Sequence, residues 1–145
     1  MIDRERLIET FCNLVKIDSP SGEEHDISEY LSNRLKMLGL NVTKDDYGNV
    51  IARSEGDNPL MLSAHMDTVE PGRSIAPRVN LDRIESDGTT ILGGDCKAGL
   101  TAILEALDSL NQDKVKHIPI EVVLTREEET GLIGANNLDF SLIQS

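Results

Sequence analysis

Hydrophobic residues recur at helical spacing in three stretches of the chain. The spacing predicts a helix from Arg4 to Lys16, a second between Ser21 and Gly39, and a third from about Lys97 to Leu110. Each stretch has one apolar stripe and one polar face, which is typical of a helix that packs on a sheet. The sequence therefore predicts three helices that each bury one side.

Local signals indicate where these helices begin and end. Asp3 precedes the first helix and can serve as its N-cap. Ser21 and Glu24 have the three-residue spacing of a capping box, which predicts the start of the second helix. Gly39 predicts its end.

Other apolar runs have the length and pattern of strands. Alternation predicts two adjacent strands at Leu40–Thr43 and Val50–Arg53. Continuous apolar runs predict strands covered on both faces at Leu60–Ala64 and Ile118–Thr125. The polar, turn-rich segment from Glu70 to Thr90 predicts a loop with one short hairpin. Strands mixed with helices in this way indicate the α/β class.

Side chains that can bind a metal or carry protons stand at the ends of the apolar runs. His65 and Asp67 follow the first buried strand, Asp95 follows two glycines, and Glu127 to Glu129 follow the second buried strand. In open α/β sheets, sites are built at the carboxyl ends of strands. The sequence therefore predicts one polar cluster, which we interpret as a metal site.

The spacing of His65 and Asp67 suits a metal ligand and its partner. On an extended backbone, side chains two residues apart point to the same side. A carboxylate there can fix the imidazole nitrogen that does not bind the metal. An isolated pair of this kind is often incidental, but its place directly after a buried strand favours the functional interpretation.

Asp95 has two compatible interpretations. The preceding glycines let the backbone approach a ligand closely, and an Asp here also suits the N-cap of the third helix. Cys96 could be a nucleophile, but the sequence positions no histidine to activate it.

The simplest interpretation of Glu127, Glu128 and Glu129 is a solvated charge run. They follow a strand predicted to be buried, however, and consecutive side chains cannot all point one way. One of them could bind a metal while its neighbour acts as a general base.

Composition restricts the classes of function. The chain has 145 residues, 39% hydrophobic and 28% charged, which suits one core. Its net charge of -12 argues against nucleic acid and anionic membranes as partners, although most of the acids are explained by solubility alone. Two cysteines, Cys12 and Cys96, are too few for a disulfide framework. With no signal-peptide pattern and no run near the ~20 apolar residues of a membrane helix, we expect a cytoplasmic protein.

Taken together, the polar stretches resemble a known family. His65-Met66-Asp67, Gly94-Asp95-Cys96-Lys97-Ala98-Gly99 and Glu127-Glu128-Glu129-Thr130-Gly131, in this order, are similar to motifs of the dinuclear zinc peptidase superfamily. This superfamily includes peptidase T, carboxypeptidase G, aminoacylase and succinyl-diaminopimelate desuccinylase. Ser63–Val69 and Ser86–Gly93 most resemble the peptidase T-like members.

The resemblance implies a role for each residue of the cluster. His65 would bind one Zn²⁺, Asp95 would bridge two Zn²⁺ and Glu129 would bind the other; Co²⁺ or Mn²⁺ could take the same places. Asp67 would assist catalysis by orienting His65, and Glu128 would be the general base that takes a proton from the attacking water. The resemblance also implies a cis peptide bond after Asp95.

The family's catalytic domain has a mixed sheet sandwiched between helices and is interrupted by a lid or dimerisation domain. Because its chains are more than twice this length, we expect residues 1–145 to be an N-terminal portion of that domain and inactive alone. The lid, through which a homodimer could form, the C-terminal portion and the remaining zinc ligands would be absent. His25 and His117 match no family ligand.

The resemblance implies a zinc-dependent aminopeptidase or tripeptidase that hydrolyses an amide bond in short peptides. An amidohydrolase of N-acyl amino acids from the same superfamily is one alternative, because lid residues decide between the two. A non-catalytic metal-binding fragment is the other.

Overall fold

The computed structural model describes residues 1–145. The helices are α1 (Arg4–Val15), α2 (His25–Met37), α3 (Gly94–Asp113) and the short α4 (Ile133–Asn136), followed by a 3-10 helix at Phe140–Leu142. The strands are β1 (Asn41–Lys44), β2 (Val50–Arg53), β3 (Leu60–His65), β4 (Arg78–Val79), β5 (Ile84–Glu85) and β6 (Ile120–Thr125). The three predicted helices, the predicted strands and the hairpin are confirmed.

The main sheet contains four strands in the order β1-β2-β6-β3. β2 pairs antiparallel with both β1 and β6, whereas β3 runs parallel to β6. The fold is therefore α/β with a mixed sheet, as predicted. β4 and β5 form a separate antiparallel pair.

The main hydrophobic core joins the sheet to α2 and α3. Strand side chains alternate between faces, and Val122 and Leu124 of β6 share one buried cluster with Leu31 of α2 and Leu104 of α3. Burial of each such side chain contributes roughly 1.5–3 kcal/mol. The sheet is held in place chiefly by this aliphatic cluster.

The opposite face of β6 packs on the C-terminal residues. Glu121 points to this face, and its buried carboxylate accepts hydrogen bonds from the backbone N–H groups of Gln144 and Ser145, each at 3.0 Å. Arg53 Nε lies 3.6 Å from the same carboxylate. Both faces of β6 are therefore covered.

The strand predicted at Leu60–Ala64 is present as β3, but its first half is exposed. Leu60 and Met61 are 52% and 37% exposed, because β3 is the outer strand of the sheet. The expectation of burial on both faces is wrong for this half of β3. It is confirmed for β6, which is buried throughout.

None of the helices combines the length and the apolar character needed to cross a membrane.

A buried ion pair joins α1 to α3. The Glu105 carboxylate is 1% exposed and accepts hydrogen bonds from Nε and Nη2 of Arg6, both at 2.7 Å. It also accepts from the backbone N–H of Asp3 at 2.7 Å and the Ser109 hydroxyl at 3.0 Å. The hydrogen bonds of Arg6 lower the pKa of Glu105 to about 2, although burial acts in the opposite direction.

We expect the pair of Arg6 and Glu105 to make the free energy of unfolding depend on pH. The folded-state pKa of Glu105 lies below its ordinary value of 4.5, so its ionised carboxylate stabilises the fold above that pH, and the contribution is lost as the pH falls towards 2. Glu105→Gln should lower the free energy of unfolding by about 2 kcal/mol near neutral pH and flatten its loss in acid. Urea unfolding at a series of pH values measures both effects.

The control is Arg83→Gln, which breaks an exposed pair with Glu85 and should change the free energy of unfolding by less than about 1 kcal/mol. An acid dependence that is the same in Glu105→Gln and the original chain would contradict the assignment.

Candidate metal centre

Two parallel strands and one helix bring the polar stretches together. His65 is the last residue of β3 and pairs with Thr125, the last residue of β6. The Met66 N–H donates to the Thr125 carbonyl at 2.9 Å and extends this pairing by one residue. The loops after both strands are therefore neighbours. Asp95 reaches them from the start of α3, where Asp95 and Cys96 have non-helical dihedral angles.

His65 lies at the centre of the cluster. Its Nε2 atom is 3.0 Å from Asp95 Oδ1 and 3.8 Å from Glu128 Oε2. The potential ligand atoms of His65, Glu128 and Glu129 lie within 4.8 Å of one another, as do those of His65, Asp95 and Cys96. The structure thus brings together the histidine and the acids that the sequence analysis assigned to one cluster.

Hydrogen bonds determine which nitrogen of His65 can bind a metal. Nδ1 lies 2.9 Å from the backbone oxygen of Asp67 and 3.3 Å from Asp67 Oδ1. A carbonyl and an ionised carboxylate only accept hydrogen bonds, so Nδ1 carries the hydrogen. In the protonated ring Nε2 also donates, to Asp95 Oδ1 at 3.0 Å. In the neutral ring the hydrogen stays on Nδ1, which faces two acceptors of Asp67, and Nε2 keeps the lone pair that can bind a metal.

Asp67 joins three segments of the chain through its fully buried carboxylate. Oδ1 accepts a hydrogen bond from the Glu128 N–H at 2.9 Å and faces His65 Nδ1. Oδ2 accepts from the Glu129 N–H at 3.1 Å and from the Ser21 hydroxyl at 2.6 Å. These contacts hold the backbone of both glutamates beside His65.

The crowding of acids changes the pKa values in the cluster. Burial lowers the pKa of His65, but its hydrogen bonds to Asp67 and Asp95 outweigh this effect and raise the pKa to about 9. Burial opposes ionisation of Asp67, but the hydrogen bonds it accepts, first from His65, lower its pKa overall. Burial raises the pKa of Glu129, and the acids around it act in the same direction despite His65. The cluster thus has an excess of negative charge, which a proton on His65 or a bound cation would offset.

A second buried acid fixes the backbone that precedes the two glutamates. Glu24 is 1% exposed, and its Oε1 atom accepts hydrogen bonds from the N–H groups of Gly22 and Glu127, each at 3.0 Å. Its Oε2 atom accepts from Arg126 Nε at 2.9 Å. Arg126 also donates to the Tyr47 carbonyl at 3.0 Å and lies over the Tyr47 ring at 5.5 Å.

The predicted capping box at Ser21 and Glu24 is wrong. α2 begins at His25, and Glu24 makes no side-chain hydrogen bond to its first turn. Both side chains instead bind the loops around His65, with partners 46 and 102 residues away along the chain. The sequence indicated that both side chains make hydrogen bonds, but it could not identify partners so far away along the chain.

Three further features of the predicted site are Glu127, the start of α3 and Cys96. The Glu127 side chain accepts a hydrogen bond from the Tyr47 hydroxyl. The residue that precedes α3 is Gly93, and the hydrogen bond of the Asp95 carboxylate is with His65 Nε2, so the N-cap interpretation of Asp95 is wrong. The peptide bond between Asp95 and Cys96 is cis, as the resemblance implied. The Cys96 side chain packs on the main hydrophobic cluster.

The donor set fits a zinc ion or a similar cation. Imidazole nitrogen and carboxylate oxygen are ordinary ligands of Zn²⁺. The side chains of Asp95 and Glu128 are 86% and 37% exposed, so carboxylate oxygens remain free to bind. Asp95 and Glu129 also line a cavity of about 440 Å³ with Val69, Ile91, Leu92 and two glycines. A ligand could reach the cluster through this cavity.

Fold and site together define the class: this is an α/β protein with a candidate metal centre at the carboxyl ends of β3 and β6. The sequence profile described as Peptidase family M20/M25/M40 matches residues 61–139, which is more than half of the chain. The chain belongs to this peptidase family.

Individual relatives agree with this assignment. The chain is 40% identical over 154 residues to the protein YqjE of Bacillus subtilis (strain 168), covering 99% of this chain and 42% of that protein. A tripeptidase from Staphylococcus aureus subsp. aureus Mu50 matches with a TM-score of 0.96 and 40% identity, covering 100% of this chain and 42% of that one. Aminopeptidase PepT from Bacillus cereus ATCC 10987 matches with a TM-score of 0.94 and 38% identity. The match covers 99% of this chain and 42% of that one. The chain spans about two fifths of the length of these proteins.

We expect Glu24 to stabilise the fold through Arg126. Glu24→Gln should lower the free energy of unfolding by about 2 kcal/mol, because the amide removes the negative charge and cannot accept every hydrogen bond of the carboxylate. Urea unfolding followed by circular dichroism measures the change.

The neighbouring residue provides the control. Glu23 is 63% exposed, so Glu23→Gln should leave the free energy of unfolding close to that of the original chain. Equal losses in the two variants would show that the buried contacts of Glu24 contribute no more than a surface ion pair.

Proposed function

We propose that the protein containing this chain is a metal-dependent peptidase that hydrolyses an amide bond in short peptides, as an aminopeptidase or tripeptidase. The observation that carries the proposal is the convergence of His65, Asp95, Glu128 and Glu129 at one edge of the sheet in a member of a peptidase family. Its similarity to a tripeptidase and to an aminopeptidase supports peptides as the substrate class.

We propose two Zn²⁺ ions as the cofactor. His65 would bind one ion through Nε2, Glu129 would bind the other, and Asp95 would bridge them with its two carboxylate oxygens. The exposed Asp95 carboxylate and the cavity shared by Asp95 and Glu129 support this arrangement. Co²⁺ or Mn²⁺ could replace zinc, because imidazole and carboxylate ligands also suit these ions.

Each residue then has a separate task. Bound zinc would polarise the amide carbonyl and lower the pKa of the attacking water. Glu128 accepts a proton from that water and can return it to the departing amine, since its partly exposed carboxylate lies beside His65 without a hydrogen bond to it. Asp67 keeps the His65 ring in the orientation that directs Nε2 to the cluster.

We propose that residues 1–145 are an N-terminal portion of the catalytic domain and have no activity alone. The chain covers only 42% of the length of its named relatives, so the groups that select the substrate, and a lid through which two copies could pair, would lie in the rest of the protein. Two unpaired cysteines, Cys12 and Cys96, are consistent with a cytoplasmic location.

The division of tasks between two adjacent glutamates can be tested in the protein containing this chain. We expect Glu129→Ala to lose metal, because a ligand is removed. We expect Glu128→Gln to keep metal and to lower kcat by ~100-fold or more, because the general base is removed. Zinc titration against a chelator and hydrolysis of a tripeptide measure the two properties.

Glu127→Ala is the matched control, since the Glu127 side chain contacts Tyr47 and should leave both properties close to those of the original protein. Equal metal loss in the Glu128 and Glu129 variants would contradict the roles. Hydrolysis of N-acyl amino acids in place of peptides would support the amidohydrolase alternative, and metal binding without turnover of either substrate would support the non-catalytic one.

A further inference from the structure

The connection between α1 and α2 passes beside the loop that contains Asp67 and is fixed at two places. The buried ammonium group of Lys97 donates a hydrogen bond to the Ile17 carbonyl at 2.7 Å. Pro20 forms a parallel bridge with Thr68, which is the residue directly after Asp67. The connection is therefore attached both to the start of α3 and to the loop after β3.

Ser21 is the residue of this connection that contacts the polar cluster. Its hydroxyl donates to Asp67 Oδ2 at 2.6 Å, and Ser21 is itself partly buried. It is the only side-chain hydroxyl among the four donors that surround the Asp67 carboxylate; the others are His65 Nδ1 and the N–H groups of Glu128 and Glu129. The Ser21 bond therefore restrains rotation of the carboxylate at Oδ2, the oxygen that does not face His65 Nδ1.

We propose that Ser21 is a positioning residue of the metal centre. Its hydrogen bond fixes the plane of the Asp67 carboxylate, and this plane sets the direction of the His65 ring and the place of the Glu128 and Glu129 backbone. Ser21 contacts neither a proposed ligand side chain nor the cavity, so it acts through Asp67. The inference rests on the proposed metal-dependent function and assigns a further residue to it.

The physical consequence concerns metal affinity more than folding. Without the hydroxyl, Oδ2 keeps only the Glu129 N–H, and the carboxylate can rotate away from His65 Nδ1. Loss of a group that orients a histidine ligand typically weakens metal binding by about 10-fold to 100-fold. Threonine keeps a hydroxyl at this position and should keep the hydrogen bond.

The test compares three variants of the protein containing this chain. Ser21→Ala should weaken zinc binding by about 10-fold or more and alter the visible absorption spectrum of the Co²⁺-loaded protein. Ser21→Thr keeps the hydroxyl, so its zinc affinity and Co²⁺ spectrum should stay close to those of the original protein. Ser19→Ala is the matched control, because the Ser19 hydroxyl is buried in the same connection but has no hydrogen-bond partner. Circular dichroism of the metal-free proteins verifies that each variant is folded.

The possible outcomes separate this inference from the proposed function. If the original protein binds zinc and cleaves peptides while Ser21→Ala matches it in affinity and Co²⁺ spectrum, the inference is wrong and the proposed function stands. Equal weakening in Ser21→Ala and Ser19→Ala would show a packing effect and would also overturn the inference. If the original protein binds no metal, the proposed function itself is wrong.

Discussion

The carboxylate of Asp67 is the contact on which the candidate site depends. It is fully buried, yet it lies within hydrogen-bonding range of groups from three separate segments: the α1–α2 connection, its own loop and the loop after β6. A buried charge of this kind is tolerated only when it is paired and hydrogen-bonded. Each donor therefore helps to stabilise the charge, and the charge in turn holds the donors in place. This mutual dependence places His65 and the two glutamates within a few ångströms of one another.

Glu24 is a second buried carboxylate whose charge must be balanced, and it lies next to the cluster. Its buried carboxylate is paired with Arg126 and accepts hydrogen bonds from two backbone N–H groups. It therefore fixes the turn that leads into Glu128. The two arrangements differ in how their negative charge is balanced. Glu24 is balanced by a cation of the chain itself, whereas the acids around His65 have no Lys or Arg partner among their contacts, and two of them, Asp95 and Glu129, line a cavity. The first arrangement stabilises a loop, and the second is suited to an added cation.

The sheet provides the fixed frame for both arrangements. Because β3 and β6 are parallel and His65 pairs with Thr125, their following loops leave the sheet at the same edge. The aliphatic core that joins the sheet to α2 and α3 fixes the start of α3, and hence Asp95, relative to that edge. The packing of hydrophobic side chains thus sets the distances between site residues that are far apart in the sequence.

Local periodicity was sufficient to predict the helices and strands. The places of five residues after apolar runs were sufficient to indicate them as site residues: His65, Asp67, Asp95, Glu128 and Glu129. The sequence could not show what Ser21 and Glu24 bind. The same side chains at the same spacing can form a capping box or can hydrogen-bond distant loops. Nor could it show that Asp95 leaves the α3 N-terminus to meet His65, or that the first half of β3 is exposed at the edge of the sheet. Those features depend on which strands are neighbours and on contacts between groups 30 or more residues apart, and only the folded chain brings such groups together.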